Sequence, residues 1–257
     1  YTCWRLQVPL QVALVAGWLF LINSAPFQAL QWISAHCYPL ALLCICGGLL
    51  AYLSYAETGN FRSLLVAALL WIAGLLSHIS AAVIIPFAGY MAWKRGGETR
   101  RICYSSVVFA ISALTVVAAI KTYYAAAPQN SISADGIDWL AMGYNYLFLW
   151  GRLFVSSHWL PPEPWRVWNG ELAVGAIAIG WGVWSLARRV SPWDMALLWI
   201  GLMLLPPLLL DPAYVRDIPA GPSRYLYLAS AGVALLESIC IMGVCTFFLR
   251  HQLAWGK

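Results

Sequence analysis

Charged residues are scarce in this sequence of 257 residues. They make up 10% of it, whereas an average soluble domain carries about 25%. A surface exposed to water needs charged and polar side chains to stay soluble. The shortage therefore excludes an ordinary soluble domain.

The seven cysteines and four histidines form no recognisable site. No C-x-x-C pair occurs, and no Cys/His spacing resembles a zinc site. Cys44 and Cys46 are two residues apart, so on a helix they point to different faces. We therefore interpret the cysteines as small buried hydrophobes, and we predict no metal site and no cofactor.

Long apolar blocks dominate what is present. Hydrophobic residues make up 62% of the chain, and its 15 Trp and 13 Tyr are typical of residues at membrane interfaces. Blocks of about 18 or more apolar residues match the roughly 30 Å hydrocarbon core of a bilayer. The sequence predicts an all-α, polytopic membrane bundle that forms a single transmembrane domain over residues 1–257. Its eight candidate spans are 6–22, 39–55, 62–77, 80–93, 102–120, 171–187, 193–210 and 225–249.

Two stretches complicate this count. Spans three and four are short and flank the segment Ser77-His78-Ile79-Ser80, so they form either a helical hairpin or one longer span broken inside the membrane. Residues 139–156 are apolar and aromatic, but Arg152 interrupts them near their end. That stretch suits an interfacial or re-entrant helix better than a full crossing.

The distribution of basic residues orients the spans. If Arg5 is cytoplasmic and each of the eight spans crosses once, ten of the fifteen basic residues face the cytoplasm and five face outward. The cytoplasmic set is Arg5, Arg62, Lys94, Arg95, Arg100, Arg101, Arg188, Arg189, Arg250 and Lys257, and the outer set is Lys121, Arg152, Arg166, Arg216 and Arg224. Because this bias follows the positive-inside rule, we expect a multi-pass protein of the bacterial inner membrane, with no nucleic-acid partner. The long connections 121–170 and 211–224 are then outer loops, where we expect function to lie.

Few ionisable residues fall inside the spans, where such residues suggest function by default. Glu237 lies about midway along the last span; the alternative is a carboxyl paired with a hydroxyl or kept neutral in the bundle. His78 could ligate a metal or a porphyrin, although a lone histidine is more often satisfied structurally. Asp194 lies at a membrane edge, where a helix N-terminus would stabilise its charge.

Arg224 stands at the outer entrance of the last span, with Tyr225 and Tyr227 near the interface. A guanidinium can hold a phosphate through paired N–H bonds, which suits a lipid-linked phosphate at headgroup depth. The alternative is a snorkelling anchor among aromatic belt residues. If the chain is active, these three residues are our candidates for lipid-phosphate binding; we assign no catalytic residue.

The segment from Arg224 to Gly232, R-Y-L-Y-L-A-S-A-G, resembles the E-R-Y-L-Y-L-P-S-x-G motif of GT-C-type membrane glycosyltransferases. The closest subgroup is the transmembrane O-mannosyltransferase-like proteins that carry tetratricopeptide repeats. Residues 198–206 resemble the span before that motif, residues 75–81 its L-L-S-K-E-x-A element, and residues 23–43 its H-P-x-x-V-E-A-V-A-W-I-S-x-R-x-D-L-L element. The resemblance implies a GT-C fold, a polyprenyl-phosphate sugar donor and an outer-loop acid that activates the acceptor.

The departures from this family fall on its polar positions. Asn23-Ser24 replace His-Pro, His78-Ile79 replace Lys-Glu, and Ser223 replaces the Glu before Arg224. Sugar transfer needs a general base, and the family's acid would lie in an outer loop before Tyr1. We therefore expect the sequence to begin inside a longer protein.

Three functions are compatible with these features. The first, which we favour, is a GT-C-like scaffold that has lost catalysis and serves as a structural or accessory subunit, with membrane lipids and other proteins as partners. The second is a glycosyltransferase that uses a lipid-linked sugar, with its catalytic acid upstream of residue 1; Asp135 and Asp138 are the outer-loop acids clear of a Pro-rich turn. The third is a transporter or channel, for which Glu237 alone makes no polar pathway.

Overall fold

The computed structural model describes residues 8–23, 36–124, 139–154, 164–188, 192–209 and 224–255. Much of the two predicted outer loops lies outside the described residues, including Asp135 and Asp138. The described residues form the α-helices α1 (Leu10–Ile22), α2 (Cys37–Thr58), α3 (Phe61–Ser77), α4 (Ile84–Lys94), α5 (Thr99–Tyr124), α6 (Trp139–Phe154), α7 (Pro164–Arg188), α8 (Trp193–Met203) and α9 (Tyr227–Trp255). Short 3-10 helices cover Ile79–Val83, Pro206–Leu209 and Arg224–Leu226.

The all-α class is confirmed, because the described ranges contain helices and no strand. Each of the eight predicted spans overlaps an α-helix, and residues 139–156 overlap α6; the predicted spans 80–93 and 193–210 also overlap the 3-10 helices Ile79–Val83 and Pro206–Leu209. Within the described residues, the stretches long and apolar enough to cross a membrane are Cys37–Thr58, Gly170–Arg188 and Tyr227–Phe248. The shorter apolar helices are Leu10–Ile22, Phe61–Ser77 and Trp193–Leu208. The structure is therefore consistent with a membrane protein.

Local sequence signals set the helix ends where chain reversals are tight. Gly59 ends α2 in the left-handed conformation at φ 72°, and its N–H donates to the carbonyl of Tyr55 at 2.7 Å. The side chain of Asn60 then caps α3 by accepting the N–H of Arg62 at 3.0 Å. Consecutive C-cap and N-cap residues make this connection short, so α2 and α3 pack as antiparallel neighbours.

The segment around His78 is a hairpin rather than a span broken in the membrane. His78 has extended backbone angles, and its Nδ1 accepts the N–H of Ser80 at 3.2 Å. The indole N–H of Trp71 donates to the carbonyl of Ala81, ten residues further along the chain, at 2.8 Å. Since residue 81 lies beside residue 71, the chain folds back along α3 before α4 begins.

Small residues lie where the helices approach one another closely. A Cβ built at Gly74 would lie 3.3 Å from the Cβ of Cys44, and one built at Gly232 would lie 2.7 Å from Cγ1 of Ile200. These positions join α3 to α2 and α9 to α8. Small residues at helix contacts are typical of membrane bundles, where close backbone approach drives association.

The outward faces of the bundle are apolar. Among the exposed large hydrophobic side chains are Leu14, Trp18, Leu43, Leu69, Leu114, Ile177, Val183 and Phe247. Soluble monomers rarely expose contiguous apolar surface of this extent. The interior is apolar as well, with Ile45, Leu149 and Ile200 almost fully buried. A bundle that is apolar both inside and outside fits a lipid environment.

Candidate functional site

Helices α6 and α7 approach each other closely at two glycines. A Cβ at Gly151 would overlap the backbone oxygen of Glu171, and a Cβ at Gly175 would overlap the backbone oxygen of Leu147. The two contacts are four residues apart on each helix and run in opposite directions. The helices are therefore antiparallel, and both glycines are needed for the contact.

This contact buries two charged side chains, Arg152 and Glu171, which we call the α6–α7 cluster. Arg152 is 4% exposed and Glu171 is 2% exposed, and their charges interact. The guanidinium carbon of Arg152 also lies 5.5 Å from the centre of the Phe148 ring. A buried pair of this kind fastens two helices, because removal of either charge would leave the other in an apolar environment.

A second buried centre joins α4 to α8, and we call it the Asp194 centre. The carboxylate of Asp194 is fully buried and accepts hydrogen bonds from the hydroxyl of Tyr90 at 2.6 Å and from the ammonium of Lys94. Its other oxygen accepts the N–H of Met195 at 2.8 Å, in the first turn of α8. Asp194 thus lies in the first turn of a helix, as the sequence analysis expected, and the ion pair with Lys94 was not foreseen.

The Asp194 centre belongs to a charged end of the bundle, which we call the basic end: Glu57, Arg62, Lys94, Arg95, Glu98, Arg101 and Asp194. Arg95 pairs with Glu57 at 2.8 Å, and Arg101 pairs with Glu98 at 2.8 Å. The Arg95–Glu57 pair connects the α4–α5 turn to the end of α2, and the Lys94–Asp194 pair connects it to the start of α8. The sequence analysis assigned the α2–α3, α4–α5 and α7–α8 turns to one side.

Glu237 lies on the outer surface of α9 and not in the bundle interior. Its side chain is exposed, although it stands midway along the candidate span Tyr227–Phe248. Ile241, Val244 and Phe248 continue the same face with exposures of 43%, 54% and 61%. These four residues recur at helical spacing, and we call them the Glu237 stripe. The structure therefore places Glu237 on an outward-facing surface of α9.

His78 is placed by the structure at the turn between α3 and the 3-10 helix. Its ring lies 4.1 Å from that of Tyr38, centre to centre. Its Nδ1 accepts the backbone N–H of Ser80. In the described residues, no group of three or more His, Cys, Asp or Glu side chains is placed to hold a metal ion.

The three residues predicted to bind a lipid phosphate lie at the start of α9. Arg224 opens the 3-10 helix Arg224–Leu226, but its side chain lies outside the described part of the structure. Tyr225 is half-buried, and Tyr227 is buried with its ring centre 5.4 Å from the ring centre of Phe20, in an edge-to-face arrangement. Tyr227 therefore packs α9 against α1, and the phosphate-binding role of the set stays a prediction.

Several interhelical hydrogen bonds end on backbone carbonyls. Tyr146 donates to Gly201 at 2.9 Å, Trp199 donates to Leu228 at 2.7 Å, and Ser238 donates to Val12 at 2.6 Å. They join α6 to α8, α8 to α9 and α9 to α1. Polar side chains on these helices thus serve helix packing.

Comparison with known proteins gives no match to a family model, a curated protein or a solved structure. The resemblance to GT-C-type glycosyltransferases therefore rests on the sequence motifs alone.

Proposed function

We propose that the chain is a multi-pass membrane bundle with a GT-C-like fold that has lost catalysis and serves as a structural or accessory subunit. In this proposal the Glu237 stripe docks onto a transmembrane helix of another protein. The observation that carries it is an exposed carboxylate at the middle of an apolar helix.

The position of Glu237 makes exposure to lipid costly. The residue is the eleventh of the 22 in the candidate span, about 15 Å from either end at the rise of an α-helix. A charged side chain at that depth costs about 3 kcal/mol on insertion scales. A polar group from a neighbouring helix would remove this penalty, whereas lipid tails would not.

The chemistry of the stripe favours a partner other than a second copy. A symmetric contact between two copies would bring two carboxylates together, and like charges repel in an apolar environment. A helix with Lys, Arg or a hydroxyl at matching depth would instead be complementary. Ile241, Val244 and Phe248 would supply the apolar part of that helix–helix contact.

The buried polar groups support a scaffold. The Asp194 centre and the α6–α7 cluster each hold two helices together, and Tyr146, Trp199 and Ser238 connect further helices through backbone carbonyls. Side chains used in this way rigidify a bundle.

In the same proposal the eight spans each cross the membrane, and the basic end faces the cytoplasm of a bacterial inner membrane. The grouping of basic residues at one end supports this orientation through the positive-inside rule. The helix α6 then packs on α7 without a crossing of its own.

Purification from membranes in a mild detergent tests the docking proposal. The wild-type chain should copurify with a partner in a fixed ratio, and Glu237→Leu should lose that partner and elute later, as a single symmetric peak of the folded chain alone. Thr246→Leu is the matched control, since it removes an exposed polar side chain of α9 outside the stripe. A partner retained by Glu237→Leu, or a wild-type chain that elutes alone or as a homodimer, would contradict the proposal.

A further inference from the structure

The basic end contains a recess of about 340 Å³, formed between α2 and the α4–α5 turn. Its polar lining consists of Glu57, Arg95, Gly96, Gly97, Glu98 and Arg101. A volume of this size falls within the range of small-ligand pockets, about 300–1,000 Å³.

The glycine turn creates the floor of this recess. Gly96 has φ 76°, and the N–H of Gly97 donates to the carbonyl of Ala92 at 2.9 Å. A Cβ at Gly97 would lie 2.8 Å from that same carbonyl oxygen. A side chain is therefore excluded at Gly97, so none from this position fills the space between the charged residues of the recess.

Two arginines and two glutamates line the recess, and each arginine forms an ion pair with one glutamate. The inner pair is Arg95 with Glu57, in which the Arg95 side chain is 15% exposed. The outer pair is Arg101 with Glu98, with exposures of 38% and 54%. The four side chains together carry no net charge. A ligand with only a negative or only a positive charge would therefore bind the two arginines or the two glutamates and leave the other two side chains without an oppositely charged ligand group.

The recess lies at the depth of lipid headgroups if α2 spans the membrane. Leu53, Ala56 and Glu57 belong to the last turns of the candidate span Cys37–Thr58. The apolar residues that line the recess lie on its side nearer the bundle interior, and the charged residues lie at the helix end.

We propose that this recess binds a phosphate linked to a primary ammonium, as in a phosphoethanolamine headgroup. The phosphate oxygens accept from the guanidinium groups of Arg95 and Arg101. The ammonium donates to the carboxylates of Glu57 and Glu98. A primary ammonium has three N–H donors, whereas a trimethylammonium has none, so the recess distinguishes ethanolamine from choline.

Thermal unfolding of the full chain in detergent tests this site. Short-chain phosphatidylethanolamine should raise the unfolding temperature at a concentration about tenfold lower than the choline or glycerol lipid. Water-soluble phosphoethanolamine is the second probe. If it matches the lipid, the site takes the free compound; if only the lipid acts, the site takes a membrane headgroup. Equal effects of the three lipids, with none from phosphoethanolamine, would overturn the proposal.

The double variant Glu98→Gln/Arg101→Gln should lose the preference for ethanolamine, because it removes the outer pair. Arg62→Gln is the matched control, since Arg62 is an exposed arginine at the same end that does not line the recess. A preference that persists in the double variant would exclude the recess as its source. Because headgroup preference is measured first on the wild-type chain, a variant that does not fold leaves that result standing.

Discussion

At the scale of single residues, charge is used in two opposite ways. Asp194 is fully buried and its oxygens accept from Tyr90, Lys94 and a backbone N–H. Glu237 is exposed at the middle of an apolar helix. The first carboxylate is satisfied inside the bundle, and in our proposal the second is satisfied by a group from another protein.

Removal of Lys94 should destabilise the bundle. Lys94→Met leaves the buried carboxylate of Asp194 without its cation, and loss of one member of a buried pair costs about 3–5 kcal/mol. Because the Lys94 side chain is 22% exposed, we expect a value near the lower limit. The measurement is the unfolding temperature in detergent.

The control for this experiment is Arg62→Met, which removes an exposed cation at the same end. The double variant Lys94→Met/Asp194→Leu should recover part of the stability lost in Lys94→Met, because no charge is then left buried alone. If Lys94→Met and Arg62→Met unfold at the same temperature, the Asp194 centre contributes nothing to stability.

At the scale of helices, glycine determines how α6 meets α7. The backbone oxygens of Leu147 and Glu171 occupy the space that a Cβ at Gly175 or Gly151 would need. The close approach that the glycines permit also buries the two charges of the α6–α7 cluster. Helix contact and charge burial are thus coupled in this pair.

Gly175→Ala should separate α6 from α7 and destabilise the protein, seen as a lower unfolding temperature or aggregation on size exclusion. Gly180→Ala on the same helix is the control, since nothing lies within 4 Å of its added Cβ. That change should be neutral or stabilising, because Ala exceeds Gly in helix propensity by about 1 kcal/mol. Equal behaviour of the two variants would refute the close contact.

The positions of the helices could be predicted from the sequence, because long apolar runs bounded by polar turns give a strong signal. The direction in which the Glu237 side chain points could not be predicted. Apolar residues surround α9 on every side, so no periodicity marks which face turns outward. The pairing of Lys94 with Asp194 was also hidden, since 100 residues separate the two along the chain and only tertiary packing joins them.

At the scale of the whole molecule, the charged turns collect at one end. The ion pairs of Lys94 and Arg95 tie the α4–α5 turn to α8 and α2. A bundle in which these turns lay on opposite membrane faces would have to break both pairs.

Labelling in intact cells tests this arrangement. We expect Arg100→Cys and Arg188→Cys, each in a chain whose native cysteines are replaced by alanine, to resist an impermeant maleimide until the membrane is opened. The two positions should respond alike, because the Asp194 centre places their turns at the same end. Labelling of one position from outside and not the other would contradict the shared end.

The most direct measurement of the proposed function is photo-crosslinking in the native membrane. A photoreactive residue at Val244, on the Glu237 stripe, should give a discrete adduct with another membrane protein. The same residue at Leu114, an exposed apolar position on α5, should give none. Adducts of equal yield from both positions, no protein adduct from Val244, or an adduct with a second copy of this chain would contradict the docking of a partner on the stripe.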